Sequence, residues 1–298
     1  MSRSAASRAN RRGEPPPSPE PLPGPALDSH THLDIVLGER PAGGEHGEWA
    51  SDDDVDAEIA AAVAVNVPRL VQVGVDVPSS RWSAALAERH PNVLAAVALH
   101  PNEAGAGKAD GQALDTALAE IDRLAALPRV RAVGETGLDR YRTGPEGWAA
   151  QEASFRAHIG IAKDRGVALV IHDRDAHEEI LDVLEDEGAP EATVFHCFSG
   201  DVEIARRCVE RGYVLSFAGT VTFGNAGYLR EAAALAPVEQ LLVETDAPFL
   251  TPMPHRGRPN ASRLVPHTVR ALAGITGTDL EELCAGLTAT AERVFGSW

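Results

Sequence analysis

With 298 residues, 44% of them hydrophobic, the chain is long enough for one large α/β domain, and no apolar run comes near the roughly 18 residues of a membrane span. Its formal charge of −17, from 27 basic against 44 acidic side chains, excludes the broad basic footprint of most nucleic-acid-binding surfaces, so a polyanionic substrate has to be attracted locally, as by divalent cations in a pocket. Cys197, Cys208 and Cys284 are widely spaced, make neither a disulfide framework nor a CxxC site, and fit a reducing cytoplasm.

In chain order, residues 1–25 carry Arg3, Arg8, Arg11 and Arg12, then prolines from Pro15 to Pro25, with almost no large apolar side chain. Such a segment is expected to be a disordered tail ahead of a single barrel domain over residues 26–298. Gly13 to Pro19 follow the Arg11-Arg12 pair where an export signal needs an apolar stretch, so export is not expected. Short runs of Val, Ile and Leu then alternate with Ala-, Leu-, Glu- and Arg-rich segments at helical spacing, the signature of βαβ units. Strands are predicted over 26–33, 69–75, 93–99, 130–135, 167–172, 193–198, 213–217 and 240–245. Helices include 53–65, behind the Ser51-Asp52-Asp53 capping cluster, 81–88, 115–127, 148–165 and 175–185. Eight such repeats predict an α/β fold of the closed (β/α)8 TIM barrel type. The connection from Asp34 to Ala50 is long for a βα loop and reads as an insertion.

The chemistry-bearing residues fall at strand ends. In Asp28-Ser29-His30-Thr31-His32, side chains two apart project to one face, so Asp28, His30 and His32 are expected to point together into the barrel, where the two imidazoles can chelate a divalent ion. Glu135, His172, His196 and Asp246 end later strands, at the rim where a barrel builds its active site. Clustered without partners, such groups would carry a severe desolvation cost; metal ions remove it. His100 ends the third strand within reach of a substrate phosphate, and Arg256, in His255-Arg256-Gly257-Arg258-Pro259-Asn260, is the preferred phosphate contact, with Arg140 and Arg142 as weaker candidates. Cys197 alternates away from His196 and reads as packing.

The segments DSHTH, VGETGLD, VIHDRDA, HCFSG, SFAGTVTF, ETDAPFLTP and RGRPN, spread from Leu27 to Phe295, together resemble the TatD family of metal-dependent hydrolases, within the amidohydrolase-like barrels. The resemblance implies that His30, His32, Glu135 and Asp246 hold one metal, that Glu135 bridges to a second, and that His172 and His196 complete the second site. It further implies deoxyribonuclease or phosphodiesterase activity with metal-activated water. Asp246 and Glu135 are then the catalytic residues, with Asp246 ligand and possible base, and the substrate is DNA or another phosphodiester. Asn102 stands where the family often has histidine, and Asn260-Ala261-Ser262 departs from the family's Asn-Glu-Pro. Mixed imidazole and carboxylate donors accept Mg, Zn or Mn alike. The same ligands would also serve an acyl-ester hydrolase, such as a D-aminoacyl-tRNA deacylase, or a non-catalytic metal-binding barrel. No membrane association is expected, and no protein partner is identifiable.

Overall fold

The alternation of short apolar runs and helical segments is realised in the computed structural model as eight parallel strands in one sheet, hydrogen-bonded in chain order. The structure describes residues 14–37, 51–105 and 111–298, and the strands are β1 (Leu27–Thr31), β2 (Arg69–Val73), β3 (Val93–Val97), β4 (Val130–Asp139), β5 (Ala168–Arg174), β6 (Thr193–Phe195), β7 (Val214–Phe217) and β8 (Leu241–Val243). Helices cover the outside: α1 (Asp52–Val63), α2 (Val77–Arg89), α3 (Gly111–Ala125), α4 (Trp148–Arg165), α5 (His177–Glu187), α6 (Val202–Glu210), α7 (Gly227–Leu235), α8 (Val265–Thr276) and α9 (Leu280–Phe295). Strands packed on both faces are buried along their whole length, as in Val93–Val97 and Val214–Phe217, which is why they read as unbroken apolar runs. No helix of the described residues is long and apolar enough to cross a membrane.

The barrel is nearly closed, and side chains make much of the closure. Between β8 and β1 there is one backbone bridge, Thr31 with Ala247, while the Asp28 carboxylate accepts the Thr245 amide at 2.8 Å and its hydroxyl at 2.5 Å. Asp28, expected to share a functional face with the two histidines, is therefore spent on closure. Its complete burial raises the carboxyl pKa to about 7 against the pull of those hydrogen bonds. The clasp also fixes the turn after β8: Asp246 N–H donates to the His30 carbonyl at 2.9 Å and His32 N–H to the Ala247 carbonyl at 3.0 Å.

Among the boundaries that move, two do so for clear physical reasons. β4 continues past Glu135 to Asp139, because a bulge between Gly134 and Thr136 inserts Glu135 as the unpaired residue against β5. A Cβ on Gly137 would overlap the His172 carbonyl oxygen, so only glycine lets the two strands run this close. α2 begins four residues before its predicted start, since Asp76 and Ser79 form a capping box and Pro78 occupies the first turn.

Residues 14–25, part of the expected tail, lie against the barrel. Leu22, the one large apolar side chain they offer, is 2% exposed and its backbone pairs with Val65 and the Asn66 side chain. Arg270 donates to the carbonyls of Glu20 and Pro21, and Arg263 to that of Pro16. An extended proline-rich chain has no internal hydrogen bonds, so its carbonyls are available to such guanidinium donors. Residues 1–13, and residues 38–50 of the expected insertion, lie outside the described residues.

Behind the site, His158 on α4 is fully buried, accepts the Leu99 amide at Nε2 (3.1 Å) and donates from Nδ1 to the Ser154 carbonyl (2.6 Å). Both bonds demand the neutral ring, and burial lowers its pKa from 6.5 to about 4. The unfolded chain thus binds the extra proton first, and stability from this group, complete above pH 6.5, is lost as pH falls towards 4. Urea titrations of chelator-treated protein should show wild type losing about 3 kcal/mol more than His158→Gln across that window. Parallel losses in the two proteins would assign the acid sensitivity elsewhere.

Candidate metal centre

Six side chains predicted as ligands converge at the C-terminal mouth of the barrel, each delivered by a strand or the turn that follows it. His30 lies near the end of β1 and His32 just after it, their Nε2 atoms facing each other at 3.3 Å. The bulge in β4 projects Glu135 between the strands, and β5 carries His172 beside it, Nδ1 to Oε1 at 2.7 Å. His196 follows β6 with its Nε2 3.1 Å from the same oxygen, its backbone held by the Ile171 carbonyl. Asp246, in left-handed backbone at φ +52° after β8, places Oδ1 3.5 Å from His32 Nε2. His100, expected at the substrate, joins the cluster itself, with Nε2 3.2 Å from Glu135 Oε1.

The two oxygens of Glu135 divide this set. Oε1 faces His100, His172 and His196, whereas Oε2 faces His30 at 3.5 Å and His32 at 3.7 Å. Among the described residues, His30, His32 and Asp246 form one group able to hold a metal ion, His100, Glu135 and His172 another, and His30, His196 and Glu244 a third. Burial opposes charge on Glu135, but the His100 and His196 rings hold its carboxyl well below the usual range; burial likewise opposes charge on Asp246, and His32 keeps that carboxyl low. Both carboxyls are therefore anionic donors at neutral pH.

The far side of each ring decides which nitrogen faces the centre. His32 Nδ1 donates to the Val73 carbonyl (3.1 Å), His196 Nδ1 to Glu244 Oε1 (3.1 Å) and His172 Nε2 to Asp139 Oδ2 (3.3 Å). Each bond fixes its ring so that the other nitrogen points into the cluster. Two buried atoms, His30 Nδ1 and Glu244 Oε2, have no partner, and the Nε2 atoms of His30 and His32 lie within 3.3 Å of each other. Imidazole nitrogens and carboxylate oxygens packed this closely are a donor set suited to divalent cations.

Glu244 and Asp139, which orient His196 and His172, lie within the motifs quoted above, but no role was read for them. Glu244 stands two residues before Asp246, and its Oε1 also accepts the Cys197 amide at 2.9 Å. Asp139 Oδ1 accepts the amides of Tyr141 and Arg142 while Oδ2 takes Asn102 Nδ2. Asn102, where a second imidazole was missing, thus supports the ligand shell through Asp139. Glu244→Gln is expected to weaken divalent-metal affinity about 10- to 100-fold, read by competition with a chromophoric chelator. Unchanged affinity would show that His196 needs no anchor.

The basic side chains behave otherwise. Arg256 is exposed and stacks on Phe223, 4.2 Å from the ring centroid, without touching the ligand cluster. Arg140 is paired with Glu179 at 2.7 Å and lies over Trp148, so it is not a free phosphate contact. Arg142 enters through its backbone amide.

Residues 27–296 match the family model described as TatD related DNase. An uncharacterized metal-dependent hydrolase TatD of Mycobacterium tuberculosis is 47% identical over 274 residues, covering 91% of this chain and 97% of the relative. A 3'-5' ssDNA/RNA exonuclease TatD of Citrobacter rodentium is 36% identical over 253 residues, covering 82% and 92%. Among solved structures, the TatD homologue YJJV of Escherichia coli superposes with a TM-score of 0.79 at 25% identity, covering 91% of this chain and 97% of its own.

Proposed function

The chain belongs to the TatD family of metal-dependent hydrolases, and from that premise we propose that it is a cytoplasmic nuclease using two divalent cations to hydrolyse phosphodiester bonds in DNA. The observation that carries this reading is the division of Glu135, one oxygen towards His30 and His32 and the other towards His172 and His196. A carboxylate so placed suits a bridge between two cations. His30, His32 and Asp246 would hold the first with Glu135; His172 and His196 would hold the second. The set accepts Mg, Mn or Zn. When bound, the cations supply Lewis acidity that activates water and neutralises charge on the phosphoryl oxygens.

The protein's own groups do the rest. Asp246, anionic and one hydrogen-bonded turn from His30, takes a proton from the attacking water at its carboxylate. His100, left over once six ligands are assigned, binds a phosphoryl oxygen, and Arg256 meets the strand further out on the rim. Local cations of this kind resolve the conflict between a polyanionic substrate and a chain of charge −17. The exonuclease name carried by the Citrobacter relative supports nucleic acid as the substrate class, and the extent of the family match supports residues 26–298 as a single hydrolase domain.

A panel of single-stranded DNA, duplex DNA, RNA and acyl-tRNA, run with each metal, tests the assignment. DNA cleavage dependent on metal is expected. Turnover of acyl-tRNA without cleavage of any nucleic acid would replace this function with ester hydrolysis.

A further inference from the structure

We propose that Tyr141 and Arg174 form a subsite for one unpaired nucleobase and its adjoining phosphate, beside the metal centre. The inference rests on the nuclease reading and assigns residues that none of the chemistry above requires. Tyr141 is 66% exposed although it follows a strand buried at nearly every position. A single exposed ring is ordinary on a protein surface. What distinguishes this one is how it is mounted.

The Tyr141 amide donates to Asp139 Oδ1 at 3.0 Å, and the other oxygen of that carboxylate takes His172 Nε2. One buried group therefore fixes both a ligand-cluster imidazole and the base of the exposed ring. Arg174 sits two residues beyond His172 on β5, about 7 Å further along the strand towards the mouth. Its guanidinium carbon lies 4.1 Å from the Tyr141 centroid, covering one face of the ring.

Charge sharpens the case. Arg140, Arg156, Arg165 and Arg207 are each held by carboxylates, but among the described residues none pairs with Arg174. An unpaired guanidinium stacked on tyrosine, in so acidic a protein, offers a phosphate donor and a π-surface at once. Aromatic rings that stack bases, interleaved with arginines that meet the backbone, are how single strands are held without reading their sequence. A paired base has both faces occupied by its neighbours, so this subsite favours unpaired strand.

The test uses the metal-loaded full chain and a labelled single-stranded DNA oligonucleotide, with KM and kcat from cleavage and affinity from fluorescence anisotropy. Tyr141→Ala should raise KM and the dissociation constant about 5- to 100-fold with little change in kcat, while Tyr141→Phe stays near wild type. An abasic nucleotide beside the scissile phosphate should weaken wild type similarly and Tyr141→Ala no further. Arg174→Gln should lower the slope of log affinity against log salt by about 0.7. If DNA is cleaved yet Tyr141→Ala and the abasic strand leave KM unchanged, the subsite is wrong and the nuclease stands. If DNA is bound but not cleaved, anisotropy alone decides the subsite and the nuclease reading falls. If DNA is neither bound nor cleaved, both fall.

Discussion

Glu135→Gln is expected to lower phosphodiester cleavage by roughly three orders of magnitude or more while leaving a folded barrel. Glutamine keeps the shape of the side chain, so the bulge in β4 and its packing need not change. What it removes is one of the two oxygens and the whole negative charge. In the present geometry Oε1 meets three imidazoles and Oε2 two more, so no orientation of an amide can offer an oxygen to both groups. Its NH2 would instead satisfy one set of imidazole lone pairs. Equilibrium dialysis should therefore find one cation or none per chain where two are expected for wild type, with circular dichroism unchanged. Cleavage near the wild-type rate in Glu135→Gln would remove the proposed bridge and the mechanism built on it.

The barrel was legible because a buried parallel strand is written as a short apolar run whose end is marked by the first polar group facing the mouth. That rule pointed to His100, His172 and His196, which the structure brings together around Glu135. It failed at β4, where Gly134-Glu135-Thr136-Gly137 interrupts the apolar run. The interruption signifies a bulge, and the strand resumes as far as Asp139. With the strand cut short, Asp139 looked like loop, and its grip on His172 could not be inferred. Glu244 was hidden differently. A carboxylate two residues from a ligand is indistinguishable in sequence from another ligand, and only its bond to His196 Nδ1, on the outer side of the ring, separates the roles. For residues 14–25, composition reports only what a segment can bury by itself. It does not report that Arg263 and Arg270, nearly 250 positions away, supply donors to its carbonyls.

Asp246→Asn is expected to reduce kcat about 100- to 10,000-fold while leaving at least one cation bound, which separates its two proposed roles. Asparagine is the informative replacement because it tolerates the left-handed backbone that Asp246 adopts at φ +52°, whereas alanine would add strain to a turn that also anchors His30 and His32. It also keeps an oxygen facing His32 as a ligand, but an amide cannot accept the proton of the attacking water. The pH profile gives the second readout. With its carboxyl held below the usual range by His32, Asp246 is already anionic in mildly acidic solution. Wild-type kcat should accordingly rise on leaving acid as this carboxyl deprotonates and then level off, and the variant should lack that limb. A loss of rate that merely follows lost metal, restored by raising the metal concentration, would make Asp246 a ligand alone and move the base to another group at the mouth.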